Sequence, residues 1–334
     1  MPLRIGVLGA ARISPAAIVE PARAGGHRLV AVGARDRARA EEFAARHGIE
    51  RVVGSYAELV ADPEVDVVYN PLVNGLHGPW NLAALEAGKH VLTEKPSAAN
   101  REEAEKVRDA VARSGKVFME AFHYHFHPVN RRLHELVASG ELGEVRHVAA
   151  VFAVPGPGPT DPRWSLELAG GALMDLGCYS VHALRMLGRH LGGEPRVTAA
   201  RGGERAGAPG VDEWLDAELE FPNGATGEAR CHMAYDGRDI TWRVVGTRGE
   251  ATVMSFAVPH LDNRIIVRTA GGEREERHGD RTSYHYQLEA FAAHLTDGAP
   301  LPLDADDAVA NMALIDDCYR AAGFAPRPGG VGAG

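Results

Sequence analysis

The chain has 334 residues, 45% of them hydrophobic and 24% charged, which is the balance of an ordinary globular protein and a length that predicts two domains. A formal net charge of −9 argues against a nucleic-acid-binding protein, and no apolar stretch is long enough to cross a membrane. The three cysteines, Cys178, Cys231 and Cys318, lie far apart in no paired spacing, so we expect reduced thiols and a cytoplasmic location.

The first predicted strand covers residues 4–9 and breaks into a turn of small residues. Ser14 and Pro15 then predict the start of a helix, because serine caps helices and proline favours their first position. A strand, a tight turn and a helix start in this order are typical of a dinucleotide-binding site. Ala11 and Ser14 occupy the positions of the second and third glycines of the usual fingerprint, so the motif alone is weak support.

A second predicted strand, residues 29–34, ends where an NAD site would carry an acidic residue for the adenosine ribose. Ala34 and Arg35 stand there instead. The planar guanidinium of Arg35 could hold a 2′-phosphate, so we predict NADP as the cofactor, with NAD as the alternative. A solvent-exposed cation before the next helix, which Asp36 is expected to cap, is the other interpretation of Arg35.

Further strands are predicted over residues 65–70, 91–93 and 116–121, and their alternation with helices predicts a doubly wound parallel sheet. The polar loop at residues 71–77 and the sequence Glu94-Lys95-Pro96 follow two of these strands. Ligands bind at the carboxyl ends of strands in such sheets, so these segments are candidates for a site. Taken alone, the charged pair also fits a surface ion pair.

Three histidines, His123, His125 and His127, lead out of this sheet, and an extended backbone would place them on one face. A metal site is one interpretation of such a triplet. No carboxylate or thiol lies beside it at ligand spacing, so we expect no metal and favour the polar lining of a cleft.

The second half of the chain predicts an antiparallel sheet. Hydrophobic and polar residues alternate over residues 215–221 and 225–233 around a Pro-Asn-Gly turn, which is typical of a β-hairpin. Further strands that extend the sheet are expected at residues 148–154, 241–245, 251–256 and 264–269. We expect a partner subunit to cover the open face of this sheet. A helix over about 306–322 should pack back on the first domain, and residues 325–334 predict a flexible tail.

A predicted helix that begins after Gly170 and Gly171 carries Asp175, Tyr179 and His182 on one stripe. An acid, a phenol and an imidazole are costly in a core, so the stripe fits a wet cleft. The alternative is that Asp175 and Tyr179 are simply hydrogen-bonded for structure.

Taken together, the sequence of residues 87–96, the loop at 74–77 and the helix with Asp175 and Tyr179 resemble the Gfo/Idh/MocA family of NAD(P)-dependent oxidoreductases. The resemblance implies an α/β fold, with an N-terminal Rossmann domain over residues 1–122. It also implies a C-terminal α+β domain over residues 123–324, whose open-faced, mainly antiparallel sheet forms a homodimer or homotetramer. Tyr179 stands where sugar-alcohol dehydrogenases of the family carry histidine, which is similar to the branch of dihydrodiol dehydrogenase and NADP-dependent D-xylose dehydrogenase.

The resemblance also implies roles for individual residues. Glu94 would contact the nicotinamide-side ribose, Lys95 would lie between nicotinamide and substrate, Tyr179 would be the acid/base, and Asp175 would orient Lys95 or the substrate hydroxyl. The predicted cofactor-binding residues are Gly9, Ala11, Arg12, Ile13, Ala34, Arg35, Leu72, Asn74, His77, Glu94 and Lys95. The predicted substrate-binding residues are His123, His125, Trp164, Asp175 and Tyr179. His125 stands where many relatives carry arginine, which leaves the choice of substrate open.

The predicted chemistry is hydride transfer between a nicotinamide and a carbinol or carbonyl carbon of a sugar or cyclic diol. A free phenol has a pKa of about 10, and a nearby ammonium such as that of Lys95 would lower it toward the range of a base. Two other functions fit the same motifs: reduction of a nucleotide-linked or anhydro keto-sugar, and a cofactor-binding sensor without turnover. A glycosidase that retains bound NAD is a more distant alternative, which Arg35 disfavours.

Overall fold

The computed structural model describes residues 2–330. Within this range the chain forms two compact units. The first contains residues 2–122, 284–310 and 329–330, and the second contains residues 123–283 and 311–328. Residues 284–310, which the predicted division placed in the second domain, therefore belong to the first unit. None of the helices within residues 2–330 combines the length and apolar composition that a membrane span requires.

The first unit contains the predicted doubly wound sheet. Its six strands are all parallel and are arranged in the order β3-β2-β1-β4-β5-β6. The strands are β1 (Arg4–Leu8), β2 (Arg28–Gly33), β3 (Val52–Val53), β4 (Val67–Asn70), β5 (His90–Thr93) and β6 (Phe118–Glu120). Apolar side chains such as Val30, Val68 and Val91 are buried against helices, which explains the near-continuous apolar runs. The order reverses between β1 and β4, and this reversal opens a crevice at the carboxyl ends of the strands.

Five helices connect these strands. They are α1 (Glu20–Ala24), α2 (Arg37–His47), α3 (Tyr56–Ala61), α4 (His77–Glu86) and α5 (Arg101–Ser114). Asp36 caps α2 as predicted, and Asn100 caps α5, since each side chain accepts a hydrogen bond from a backbone N–H of the first turn. The prediction that Ser14 is a helix cap is wrong. Ser14 forms no cap, because its backbone angles are already helical and its side chain makes no capping hydrogen bond. Pro15 does begin a helical segment as predicted, a π-helical turn (Pro15–Val19) that leads directly into α1.

The second unit contains an eight-stranded, mainly antiparallel sheet in the order β14-β13-β12-β11-β7-β10-β9-β8. The strands are β7 (Val145–Ala153), β8 (Arg196–Arg205), β9 (Ala208–Glu220), β10 (Thr226–His232), β11 (Trp242–Gly246), β12 (Gly249–Val253), β13 (Arg264–Thr269) and β14 (Gly272–Arg277). Strands β7 and β10 run parallel, and the other neighbouring pairs are antiparallel. The predicted hairpin is β9–β10, with Leu215, Ala217 and Leu219 on its buried face.

The histidine segment is not extended, so the prediction that its three side chains share one face is wrong. His123–Phe126 forms a 3-10 helical turn, and α6 (Pro128–Ala138) follows at once. His127 is the cap of α6, because its Nδ1 accepts a hydrogen bond from the N–H of Val129. Pro128 occupies the first position of that helix, where its fixed backbone angle favours a helix over an extended strand.

Three helices complete the described chain: α7 (Cys178–Leu187), α8 (Ser283–Asp297) and α9 (Ala305–Ala321). A π-helical turn, Leu173–Gly177, leads into α7.

The segment predicted to be a flexible tail from residue 325 contains a buried side chain. Arg327 is 1% exposed, forms an ion pair with the fully buried Asp212, and donates from Nε to the carbonyl of Gly170 at 2.7 Å. The prediction is therefore wrong at Arg327, because a guanidinium with buried partners is held in place. Residues 331–334 of the predicted tail lie outside the described residues.

Candidate active site

In the first unit, the loops after β1, β2 and β4 line a cavity of about 490 Å³. It lies at the reversal of strand order, where doubly wound sheets bind nucleotides. Five residues predicted to bind a cofactor line this cavity, namely Gly9, Ala11, Ala34, Arg35 and Leu72. The structure thus brings together segments that are up to about sixty residues apart in the sequence, as the parallel topology requires.

The turn after β1 leaves room for a ligand close to the backbone. Gly9 has a positive φ of 79° and donates its N–H to the carbonyl of Gly33 at 2.6 Å. A Cβ atom at this position would lie 3.1 Å from Cδ2 of Leu72. Alanines follow at positions 10 and 11, so no large side chain obstructs the cavity here. This bare, tightly turned backbone fits the pyrophosphate of a dinucleotide.

Two arginines line the same cavity. Arg35 is exposed, and Arg39, one turn into α2, donates to the carbonyl of Ala10 at 3.2 Å. Sequence reasoning missed Arg39 and Tyr56, which also line the cavity. The position of Arg39 could have indicated this role. It lies in the first turn of α2, which begins at Arg37, and therefore close to the end of β2 and to Arg35. The pair supplies two guanidinium groups suited to a phosphate.

Six other predicted cofactor residues are not among those that line this cavity, and Arg12, Ile13 and Asn74 are three of them. Arg12 and Ile13 are exposed, and Asn74 begins a short 3-10 turn, Asn74–Leu76. Their roles stay predictions.

His77 does not line the cavity, but it contacts Leu72, which does. It is 1% exposed, with Nδ1 2.6 Å from the carbonyl oxygen of Pro96 and Nε2 2.8 Å from that of Leu72. Burial outweighs these two carbonyls and lowers the pKa of His77 to about 4, so the ring is neutral near pH 7. The side chain therefore positions the loop after β4 against the peptide that follows Lys95.

Glu94 and Lys95 lie at the end of β5, as predicted. Glu94 is 8% exposed, and its carboxylate accepts a hydrogen bond from the hydroxyl of Tyr69 at 2.9 Å. Lys95 is half-buried. A carboxylate this deep does not fit the interpretation as a surface ion pair, because exposed pairs keep both groups in water.

In the second unit, Tyr179 belongs to a buried chain of three polar side chains. Its hydroxyl lies 3.0 Å from Nε2 of His123, and Nδ1 of the same ring lies 2.7 Å from Oγ of Ser283. Tyr179 is 5% exposed, His123 1% and Ser283 fully buried. A neutral imidazole donates from one nitrogen and accepts at the other, so His123 can either accept from the phenol or donate to a phenolate. The arrangement can relay a proton to and from Tyr179.

The other predicted substrate residues have separate partners. Asp175 lies in the π-helical turn and pairs with Nη1 of Arg163 at 3.3 Å. Trp164 is 7% exposed, and the guanidinium of Arg205 lies 4.8 Å from its ring centre. The ring of His125 is 6.4 Å from that of His134, measured between centroids.

His182 lies 2.7 Å from the hydroxyl of Tyr124 through its Nδ1. Sequence reasoning missed Arg163, Tyr124 and Ser283 as partners in this region. Ser283 had no local signal, since it is separated from His123 by 160 positions.

The fold and the first cavity define a dinucleotide-binding protein of the doubly wound class. Residues 3–122 match the family model described as the oxidoreductase family with an NAD-binding Rossmann fold. Residues 130–252 match the model of the Gfo/Idh/MocA C-terminal domain. The chain belongs to the Gfo/Idh/MocA family of oxidoreductases.

Similar proteins include enzymes that are named for a sugar and for a diol. D-xylose 1-dehydrogenase (NADP(+)) 2 of Haloferax volcanii is 38% identical over 324 residues, which covers 96% of this chain and 97% of the relative. Trans-1,2-dihydrobenzene-1,2-diol dehydrogenase of Mus musculus is 35% identical over 285 residues, or 83% and 80% of the two chains. The predicted resemblance to these two enzymes is confirmed.

A solved structure is similar over nearly the whole chain. It is the 3-ketoreductase of Actinomadura kijaniata in complex with NADP and TDP-benzene, with a TM-score of 0.86 and 28% identity. The match covers 96% of this chain and 98% of the reductase.

Proposed function

We propose that the protein is an NADP-dependent dehydrogenase that oxidises a sugar or a cyclic diol, or reduces the corresponding carbonyl. The observation that carries the proposal is the buried chain of Tyr179, His123 and Ser283, because it gives a phenol a partner for proton exchange. The similarity to a D-xylose and a dihydrodiol dehydrogenase supports the substrate class. Arg35 and Arg39 beside the first cavity support NADP over NAD.

In this proposal each residue has one task. Gly9, Ala11 and Leu72 would hold the dinucleotide, whose nicotinamide donates or accepts the hydride when bound. During oxidation Tyr179 takes the proton of the substrate hydroxyl while its own phenolic proton moves to Nε2 of His123, and both transfers reverse during reduction. We assign to the Lys95 ammonium the stabilisation of the negative charge on the substrate oxygen. Asp175, held by Arg163, orients the substrate hydroxyl.

A second candidate is reduction of a nucleotide-linked keto-sugar, which the similarity to the solved 3-ketoreductase favours. A fluorescence titration of NADPH against NADH, followed by assays with pentoses, hexoses, vicinal diols and a TDP-linked keto-sugar, separates the candidates. We expect tighter binding of NADPH and turnover of a free sugar or diol. Turnover of the TDP-linked substrate alone would replace the first candidate by the second, and no turnover with any of them would contradict both.

Replacement of Lys95 by methionine tests the assignment of charge stabilisation. We expect Lys95→Met to lower kcat by about a hundredfold or more while NADPH affinity stays within about twofold. Lys106→Met is a matched control, because Lys106 is an exposed lysine on α5 that pairs with Glu102. Steady-state rates and NADPH fluorescence give both readouts. Full activity in Lys95→Met would show that the lysine has no part in the reaction.

We also propose a cytoplasmic homodimer or homotetramer that associates through the open face of the second unit's sheet. Three buried free cysteines support a reducing compartment. The outer strand β8 is largely exposed, which leaves a surface for a partner. Sedimentation velocity of the purified protein tests the assembly, and a single monomeric species across micromolar concentrations would refute it.

A further inference from the structure

A second cavity, of about 290 Å³, lies within the second unit and has no part in the proposed reaction. It is bordered by α6 and by the 3-10 turn Gly188–His190 that follows α7. Basic side chains dominate its lining, which includes Arg131, His134, Glu135, Arg189, His190 and His125.

Two guanidinium groups line this cavity, those of Arg131 and Arg189. Across residues 2–330, no carboxylate lies within ion-pair distance of Arg131 or Arg189. The acidic residue of the lining, Glu135, already pairs with Nη1 of Arg132 at 3.2 Å. With two arginines against one carboxylate, the lining carries a net positive charge, which is an arrangement that attracts anions.

Two histidines add neutral N–H donors. Nε2 of His190 accepts a hydrogen bond from Nε of Arg189 at 3.2 Å, so the proton of that ring lies on Nδ1. His134 is 7% exposed, and within the described part of the chain its Nδ1 is enclosed without a hydrogen-bond partner. An enclosed N–H with no acceptor is disfavoured, so the proton of His134 lies on Nε2.

Burial and the nearby arginine disfavour the protonated forms of His134 and His190. Burial, together with the charge of Arg189, lowers the pKa of His134 well below its usual range. The same two causes lower the pKa of His190. Neighbouring His125 and His182 act on His134 in the same direction. Both rings are neutral near pH 7, and hydrogen-bond donors outnumber acceptors in the lining.

We propose that this cavity binds a phosphate-type oxyanion, either inorganic phosphate or the phosphate group of an ester. A ligand that is both negatively charged and rich in acceptors satisfies together two guanidinium groups without acidic partners and two imidazole N–H groups. The site lies wholly within the second unit, whereas the dinucleotide cavity lies in the first. The ligand is therefore bound in addition to the cofactor.

Calorimetric titration with inorganic phosphate tests the proposal. The titration uses an Arg35→Gln, Arg39→Gln background, so that the dinucleotide cavity does not contribute to phosphate binding. In this background we expect phosphate to bind, and Arg131→Gln or Arg189→Gln to weaken binding about tenfold each, because each removes a charge-assisted contact. Both arginines are exposed, so these changes should leave the thermal unfolding midpoint unchanged.

The control is Arg238→Gln, which removes an exposed arginine outside the cavity and should leave phosphate binding unchanged. Glycerol 3-phosphate, titrated in parallel, distinguishes the two sources of the anion: tighter binding than phosphate indicates an ester, and equal or weaker binding indicates the free ion. The proposal is overturned if phosphate does not bind the background protein, or if the Arg131→Gln, Arg189→Gln double variant binds it equally well.

Discussion

At the scale of single residues, the proposed chemistry depends on the phenol of Tyr179. The side chain is buried, yet its hydroxyl meets a histidine that has a second polar partner of its own. Such a chain stabilises both protonation states of the phenol, because His123 can exchange its donor and acceptor nitrogens. A purely structural tyrosine needs only one fixed hydrogen bond.

Replacement of Tyr179 by phenylalanine removes only the hydroxyl. We expect Tyr179→Phe to lower kcat by a factor between about a hundred and ten thousand, the range of a lost general acid/base, with NADPH affinity retained. Tyr124→Phe is the matched control, because it deletes a neighbouring buried hydroxyl that hydrogen-bonds with His182. That variant should lose about 1 kcal/mol of stability but keep most of its activity. Equal losses of kcat in the two variants would assign Tyr179 a structural role.

His77 predicts a dependence of stability on pH. Burial lowers the pKa of His77 to about 4, below its ordinary value of 6.5, so the unfolded chain takes up the proton first as the pH falls. The contribution of neutral His77 to the free energy of unfolding is therefore complete above about pH 6.5 and is lost progressively as the pH falls to about 4. Burial also lowers the pKa of His127 to about 4, so it contributes in the same window.

Thermal unfolding measured between pH 7.5 and about pH 4 checks this expectation. The midpoint should fall with pH in the wild type, and less steeply in His77→Asn, which cannot take up a proton. Identical slopes in the two proteins would show that His77 does not titrate in this range. His127→Asn, measured alongside, separates the contribution of the second histidine.

At the scale of elements, the π-helical turn Leu173–Gly177 sets the direction of the helix that carries Tyr179. Gly171, just before the turn, has a positive φ of 127°, and a Cβ atom there would collide with the carboxylate of Asp212. The backbone of Leu173 donates to the same carboxylate at 2.7 Å. The entry to the turn is therefore fixed by contacts that leave no room for a side chain.

Gly171→Ala should destabilise the protein by more than about 2 kcal/mol, because it combines an unfavourable φ with a steric clash. Gly158→Ala is the control, since Gly158 is exposed and a methyl group there would have no neighbour within 4 Å. Urea unfolding of the two variants measures the difference. A Gly171→Ala protein as stable as wild type would mean that the turn can rearrange without cost.

Sequence patterns predicted some elements better than others for physical reasons. The hairpin β9–β10 was predicted because one face is buried, so that Leu215, Ala217 and Leu219 alternate with polar residues. Strands β8 and β14 were missed because they are the outermost strands of the sheet and largely exposed, which removes the alternation. The π-helical turn was missed as well, since its hydrogen bonds span only one residue more than those of an α-helix and leave no mark in the hydrophobic pattern.

The residues of the candidate site were likewise predicted in part and missed in part. The strand ends that line the first cavity were predicted, because parallel topology determines which loops meet. Partners such as Arg163 and Ser283 were not predicted, because side-chain contacts between distant segments have no periodicity to reveal them.

At the scale of the whole molecule, the end of the described chain stabilises the region before Tyr179. Asp212 accepts from the hydroxyl of Tyr319 at 3.0 Å and from the backbone of Leu173, and it pairs with Arg327. Both charged groups are almost fully buried. Burial raises the pKa of Asp212 even with the guanidinium beside it, so the carboxylate depends on these partners for its charge.

Arg327→Met should therefore cost about 3–5 kcal/mol of stability, the usual penalty for leaving a buried charge without its partner. An Asp212→Asn, Arg327→Met double variant should recover part of that loss, because the unpaired carboxylate is gone. Denaturant unfolding of the single and double variants tests the coupling. Additive losses in the double variant would show that the two groups do not stabilise one another.

The division of the first unit into separate stretches of sequence has a consequence for biosynthesis. A ribosome releases residues 284–310 only after all of residues 123–283, so most of the second unit emerges while the first is still incomplete. Asp212 likewise lacks its ion-pair partner during most of translation, because Arg327 is synthesised 115 residues later. We expect nascent chains halted near residue 283 to be protease-sensitive and to recruit chaperones, and the stable state to form only when the final helices have left the exit tunnel.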